Sequence, residues 1–270
     1  MDKTVYFNEA RGLEVLRDGP SVWVKQEGKS GRRIPVRLVG RAVIIGNVRL
    51  DAGIITLFAD NDIPVIFMNR KGEEAAVTIP FNHHLPKHHE EQKIFLYSEK
   101  NTLAFKTWLF SQKRKLQINT IKRLSEAAAE KMLSAGFRDK DYRLFISRFI
   151  SGKEDQYRVV KGIVSNLIKE MVVESLIKAD LEPHTGVLNR RHNFGLALDI
   201  CQALEPEADL QSIGFLKACH ATPPDSQKWN ISGDEIKDIA QRFENKRRIV
   251  HETIEMIIDE LFRLMREMRL

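Results

Sequence analysis

The stretch Leu181-Glu-Pro-His-Thr-Gly-Val-Leu-Asn189, with Leu196-Ala-Leu-Asp199-Ile-Cys-Gln202 behind it, decides how this chain is read. Pro183 and Gly186 mark a tight turn, a short exposed segment follows, and the second run reads as a helix. Its i, i+3 spacing puts Asp199 and Gln202 on one side of that helix, close to Asn189. Three polar residues gathered in this way ordinarily hold a metal, yet two of these three are amides.

Outward from that stretch, the chain divides in character. No proline occurs between Pro86 and Pro183, which favours long helices. Ile94, Tyr97, Ala104 and Trp108 fall on one helical face, and Ile118, Ile121, Leu124, Ala128 and Met132 continue in steps of three and four. Near the end, Ser232-Gly-Asp-Glu235 has the form of a capping box. Behind it Ile236, Ile239, Phe243, Ile254, Ile257, Ile258, Leu261 and Met265 trace a stripe expected to be buried.

Before Pro86 the period is that of strands. Thr4–Phe7, Ser21–Val24, Ile34–Val36, Ala42–Ile45, Val65–Met68 and Ala75–Ile79 are short β-branched or aromatic runs. Turn formers at Asp18–Pro20, Gly28–Gly31 and Asn69–Gly72 separate them. Ile54, Ile55, Leu57 and Phe58 are spaced as a helix within Asp51–Asn61. The expected fold class is α+β multidomain. Residues 1–82 form a small β-sandwich-like domain, 83–89 a hinge rich in His and Lys, and 90–270 a larger all-α domain.

Composition bounds the function. The 270 residues are 43% hydrophobic and 30% charged, enough for real cores in a water-facing protein. No run of 18 apolar residues exists, and the N-terminus lacks the regions of a signal peptide. Cys201 and Cys219, without metal-binding spacing, read as reduced thiols of a cytoplasmic protein. The net charge of +6, with a pI near 9.2, is a mild basic bias present on both sides of Pro86. Lys113-Arg114-Lys115, Lys122-Arg123, Arg190-Arg191-His192 and Lys246-Arg247-Arg248 concentrate it locally. There is no phosphate-binding loop, dinucleotide fingerprint or nucleophile elbow, so ATP, NAD and serine-hydrolase chemistry are not expected.

This order of features resembles the CRISPR-associated adaptation integrase, the universal endonuclease/integrase subunit of spacer acquisition. The likeness rests on Arg33-Ile-Pro-Val-Arg-Leu-Val39, Val43-Ile-Ile-Gly-Asn-Val48 and Ile63-Pro-Val-Ile-Phe67 in the first half. In the second half it rests on Leu181–Leu188, similar to "glDPyiGfLH", and Leu196-Ala-Leu-Asp199, similar to "sLalDLmE". It implies a homodimer paired through the β domains and a helical domain of catalytic type. It also implies short duplex prespacers and repeat DNA as ligands, a small second adaptation protein as partner, and a prokaryotic cytoplasmic setting. The implied reaction is transesterification by a prespacer 3′-hydroxyl, with Mg²⁺ or Mn²⁺ held by a Glu, a His and an Asp or Glu.

Carried over position by position, the family's His falls on Asn189, the first acid of the helix is kept as Asp199, and the coordinating acid falls on Gln202. The upstream Glu finds no counterpart among Glu126, Glu130, Asp139, Asp141, Glu154 and Asp155. Hard cations prefer carboxylate oxygens, and neutral amides do not offset their charge. Asp199 is left as the one metal-ligand candidate, with His192 as a possible substitute. His83-His84-Leu-Pro-Lys-His88-His89 is a rival imidazole cluster without an ordered carboxylate or Cys. Arg190, Arg191, His192, Lys246, Arg247 and Arg248 are the expected DNA contacts, with Arg263, Arg266 and Arg269 as a second face. Three functions follow: a DNA-binding adaptation subunit with a degenerate active site, an active metal-dependent integrase with unusual ligands, or a repurposed interaction protein.

Overall fold

The β-branched runs at the N-terminus pair into two four-stranded sheets in the computed structural model, which describes residues 3–78, 85–218 and 231–269. The elements are β1 (Lys3–Asn8), β2 (Glu14–Asp18), β3 (Ser21–Gln26), β4 (Lys29–Pro35), β5 (Val39–Ile45), β6 (Arg49–Leu50), α1 (Ala52–Ala59), β7 (Val65–Met68) and β8 (Glu74–Thr78). One sheet has the order β1-β5-β7-β8, parallel except for the last pair; the other has the order β4-β3-β2-β6. Strand β5 is buried at nearly every position, as a central parallel strand must be. Phe7, Val15, Val22, Ile44 and Val65 from both sheets join Ile54, Leu57 and Phe58 of α1 in one core.

The expected strands and the short helix are present, and the differences are local. Strands β2 and β6 lie in sequence too charged or too short to show a period of two. The Gly28–Gly31 turn contracts to Glu27-Gly28, because Gln26 pairs with Lys29 and β4 begins there. That strand ends at Pro35, and Val36–Leu38 form a 3₁₀ turn instead of continuing it. Ile79 lies outside the described residues.

The rest is helical: α2 (His89–Gln92), α3 (Glu99–Leu124), α4 (Glu126–Ser134), α5 (Asp139–Ile150), α6 (Glu154–Lys178), α7 (Gly195–Ala218), α8 (Gly233–Glu244) and α9 (Arg247–Glu267). The chain divides into two compact units, Met1–His84 with Ile231–Asp238, and Leu85–Asn230 with Ile239–Leu270. The second unit is built around α7, which packs on α3 and α6. Among the described residues no helix is long and apolar enough to cross a membrane.

Two helical stripes differ from expectation. Ile94 and Tyr97 do not share a face with Trp108, because Ser98 is extended and its hydroxyl accepts from the Asn101 amide at 3.1 Å, starting α3 afresh. Tyr97 is therefore 70% exposed, and the buried face of α3 is Phe105, Leu109, Gln112, Leu116 and Thr120. Ser125 likewise interrupts the run from Ile118 to Met132 by capping α4. Leu124, Ala128 and Met132 nevertheless pack into one cluster with Ile121 and Ile213. The capping box at α8 has both its bonds: the Ser232 amide donates to Glu235 Oε2 at 2.8 Å, and the Glu235 amide donates to Ser232 Oγ at 3.2 Å. The whole stripe from Ile236 to Met265 is buried.

Candidate functional site

The loop between α6 and α7 is closed by its own backbone. The Leu196 and Ala197 amides donate to Pro183 O, and the Leu198 amide donates to Phe194 O. Gly186 and Gly195 meet without side chains: a Cβ on Gly195 would lie 2.5 Å from Asn189 O, and one on Gly186 would lie 2.7 Å from the Gly195 backbone. Only glycine permits that approach. His184 stacks on Phe194 at 4.3 Å between ring centroids, and its Nδ1 accepts from the Phe194 amide.

Asp199 sits beneath this loop, fully buried, and gathers it. Its Oδ2 accepts from the Val187 amide at 2.7 Å and the Leu188 amide at 3.1 Å. Its Oδ1 accepts from the Asn189 amide at 3.0 Å and from Asn189 Nδ2 at 2.6 Å. Three successive backbone N–H groups and one side-chain amide thus converge on one carboxylate, an arrangement that compensates its buried charge. Asp199 is a clasp for the Gly186–Asn189 turn, and both its oxygens are committed to that task.

Beside the clasp, α6 and α7 line a cavity of about 340 Å³ with Lys161, Ser165, Asn189, Cys201, Gln202 and Glu205. Gln202 and Glu205 follow Asp199 at intervals of three on α7. Pro206 has no N–H to give the Gln202 carbonyl one turn earlier, so the helix ladder is open at this position. Its own carbonyl accepts from Thr120 Oγ1 of α3 at 3.0 Å.

The charges here are paired internally. Lys161 Nζ lies 2.7 Å from Asp209 Oδ1 and 3.0 Å from Glu205 Oε1, while Lys113 Nζ of α3 lies 2.5 Å from Glu205 Oε2. Tyr142 and Tyr157 donate their hydroxyls to the two oxygens of Asp209. Burial pulls the Lys161 ammonium towards neutrality, but Asp209 and Glu205 overcome it and hold its pKa above the ordinary lysine value. Burial likewise pushes Glu205 up, and the Lys113 and Lys161 ammoniums outweigh it, leaving Glu205 below the ordinary carboxylate value. Burial and the Asp209 charge raise both tyrosine hydroxyls, which remain protonated donors.

None of the upstream acids weighed as a metal ligand lines this cavity. Asp141 pairs with Arg138, Asp155 with Arg158, Asp139 with Arg114 at 3.8 Å, and Glu154 accepts from the Gly152 amide. Glu126 and Glu130 are exposed on α4. The carboxylate that does enter, Glu205, comes from α7 itself. Its signal in the sequence is the Glu205/Asp209 pair at i, i+4, matched by Tyr157, Lys161 and Ser165 at i, i+4 on α6. His192 is exposed, while Asp199 is enclosed by the loop. His83 and His84, with Cys219 and Trp229, lie outside the described residues; His88 Nδ1 lies 2.6 Å from Glu91 Oε2.

Of the six basic residues expected to meet DNA, all but Arg247 are exposed, and three of the six have partners within the chain. Arg190 turns back on the loop, its guanidinium donating to Val187 O and Thr102 Oγ1, both at 2.9 Å. Arg247 is half-buried between Glu174 at 3.6 Å and Glu244 at 3.9 Å, and Arg248 pairs with Glu252. Of the second face, Arg263 pairs with Glu260 and Arg269 with Glu91, while Arg266 is exposed.

Residues 7–143, just over half of the chain, match the family model of CRISPR associated protein Cas1. The chain belongs to the Cas1 family. This family supplies the adaptation integrase of CRISPR systems, as the resemblance implied; the matched residues include Arg33–Val39, Val43–Val48 and Ile63–Phe67 and end before Leu181. Among solved structures, a Cas1 protein from Thermotoga maritima is 18% identical with a TM-score of 0.75, covering 99% of this chain and 97% of its own. A casposase bound to integration product is 13% identical with a TM-score of 0.68, covering 90% of this chain and 82% of its own. A Cas6-RT-Cas1–Cas2 complex contains a chain 10% identical with a TM-score of 0.68, covering 97% of this chain and 35% of its own. These likenesses show a shared fold. No curated protein sequence matches the chain.

The Cas1 family is generally metal-dependent, and Asn189, Asp199 and Gln202, onto which the sequence resemblance carries its ligands, do not fit a divalent cation. Asp199 has no oxygen to offer without releasing the loop. Asn189 turns its NH₂ donor, not an acceptor, towards that carboxylate. Gln202 is neutral, and the nearest carboxylate in the cavity already faces two lysines. Among the described residues no group of three or more His, Cys, Asp or Glu side chains is placed to hold a metal.

Proposed function

We propose that this Cas1-family chain acts in spacer acquisition as a DNA-binding subunit that does not itself run the family's metal-dependent strand transfer. One observation carries the reading: the cavity at the family's ligand positions is walled by Asn189, Gln202 and Lys161, while Asp199 is consumed in holding the loop. A divalent cation that stabilises a phosphoryl transition state needs anionic oxygen ligands, and these residues present amides and an ammonium instead.

DNA binding asks for less. Phosphate contacts need accessible cations on a surface, not a fixed coordination sphere. Arg191 and His192 stand exposed on the clasped loop, and Lys246 stands exposed at the start of α9. The solved relatives point the same way by their descriptions, one a casposase with its integration product and one an assembly containing Cas2. The proposed partners are accordingly short DNA duplexes, repeat DNA, a small Cas2-type protein and a second copy paired through the β unit.

The test is fluorescence anisotropy of a labelled duplex across a salt series. Removing Arg191 and Lys246 together (R191A/K246A) is expected to reduce the slope of log affinity against log salt by about two, one for each phosphate no longer neutralised. Affinity independent of salt, or a slope unchanged in the double variant, would remove DNA from this account.

A further inference from the structure

We infer that Lys161 is a built-in cation of this fold: its ammonium occupies the charge position of the cavity, holds Glu205 and Asp209 together, and closes the site to divalent metal. The inference rests on the proposed reading that the chain runs no metal chemistry of its own, and it goes further by naming the residue that makes this so.

Three observations carry it. First, the geometry is that of a centre and its ligands. Lys161 Nζ is bracketed at 2.7 Å by Asp209 Oδ1 and at 3.0 Å by Glu205 Oε1, carboxylates one helical turn apart on α7. Second, the outer positions of the carboxylates are filled as they would be around an ion. Tyr142 and Tyr157 donate to Asp209, and Lys113 holds the far oxygen of Glu205. Third, the ammonium stands in the same cavity wall as Asn189 and Gln202, onto which the sequence resemblance carries two of the family's metal ligands.

The charge consequences follow directly. Two lysines and two carboxylates sum to zero, so the cluster satisfies itself without an added ion. Asp209 is nearly buried, its side chain 4% exposed, and a charge so placed must be paired. A divalent cation entering beside Lys161 would meet a like charge a few ångströms away. A DNA phosphate, by contrast, would approach Lys161 without first crossing an uncompensated carboxylate wall. Binding of DNA by this chain is therefore expected to proceed equally in chelator and in Mn²⁺.

The test compares the full chain with Lys161→Met and Lys161→Arg, using Mn²⁺ alone as the probe. Binding is read from loss of the free-ion electron paramagnetic resonance signal and from thermal unfolding with Mn²⁺ or EDTA. The parent and Lys161→Arg are expected to take up no Mn²⁺ and to melt identically in both conditions. Lys161→Met, which leaves Asp209 and Glu205 without their shared cation, is expected to melt lower in EDTA. It should also gain Mn²⁺ affinity by at least tenfold, lost again in K161M/E205Q. A Lys161→Met protein that folds only when Mn²⁺ is supplied supports the inference equally. One that takes up no Mn²⁺, or stays unfolded with and without it, overturns the inference and leaves the DNA-binding reading standing. Tight Mn²⁺ binding by the parent overturns both the inference and the metal-free reading. Absence of DNA binding by the parent, with the Mn²⁺ results as expected, overturns the proposed function alone.

Discussion

Replacing Asp199 by asparagine separates a clasp from a metal ligand. The substitution keeps shape but exchanges one acceptor oxygen for a donor. In the parent, Oδ2 takes the Val187 and Leu188 amides, and Oδ1 takes the Asn189 amide and Nδ2. An amide at 199 can keep its oxygen on one pair, but its NH₂ then faces two donors. Rotation of the Asn189 side chain recovers one of these two bonds, so one charge-assisted hydrogen bond is lost in a buried setting, worth roughly 1.5–3 kcal/mol. A loss of about 1.5–3 kcal/mol corresponds to a fall in Tm of roughly 3–12 °C for a unit of this size. The assay is thermal unfolding in EDTA, with hydrogen exchange of the Val187, Leu188 and Asn189 amides to localise the effect. A carboxylate awaiting a metal would behave oppositely, since neutralising it relieves an unpaired charge. An unchanged or raised Tm for Asp199→Asn in EDTA would refute the clasp.

The other expectations concern the same region. Gly195→Ala puts a Cβ against the Asn189 carbonyl and Gly186→Ala puts one against the Gly195 backbone, so each is expected to cost about 1–3 kcal/mol. The pair should be non-additive by roughly 1 kcal/mol, because both open one gap; strict additivity would show that the two backbones are not in contact. The Lys161–Glu205 cluster also sets a pH window. Glu205 lies below its ordinary 4.5, so its contribution is present above that pH and fades as pH falls through the folded value. Lys161 lies above its ordinary 10.5, so its contribution is complete below that pH and fades as pH rises through the folded value. The Tm difference between the parent and Lys161→Met is therefore expected to be flat between roughly pH 5 and pH 10 and to shrink outside it. A difference that persists undiminished well above pH 11 (roughly) would contradict the pairing.

The broad architecture was legible because hydrophobic period carries it. The runs at Ala42–Ile45 and Val65–Met68 alternate or fill as strands do, and the stripe from Ile236 to Met265 repeats as a helix does. Boundaries were less legible where a single polar side chain decides them. Ser98 and Ser125 end one helical phase and begin another through a hydroxyl bonded to a backbone amide, and hydropathy does not register that bond. The order of the chain brought Asn189, Asp199 and Gln202 together as candidates, and the structure bonds Asn189 to Asp199 and sets Asn189 and Gln202 in one cavity wall. What Asp199 does could not be read from that order, because its partners are backbone amides, which have no letter in the sequence. Lys161 was hidden for another reason. Alone on a long helix it is one cation among many, and it acquires meaning only when α6 is laid against Glu205 and Asp209 of α7. Arg190 and Arg247, which the charge runs offered as DNA contacts, also have partners within the chain, Val187 O and Thr102 for the first and Glu174 and Glu244 for the second.

The central claim, that the fold and its DNA surface persist while the metal chemistry does not, is tested most directly by strand transfer itself. A labelled duplex with free 3′-hydroxyl ends is incubated with supercoiled repeat-bearing plasmid, Mn²⁺ and the purified chain, with and without a Cas2-type partner. Gln202→Ala serves as the control, since it removes a family ligand position without disturbing the Asp199 clasp. The account predicts duplex binding but no joined product from either protein. Robust product from the parent chain that is lost in Gln202→Ala would contradict it.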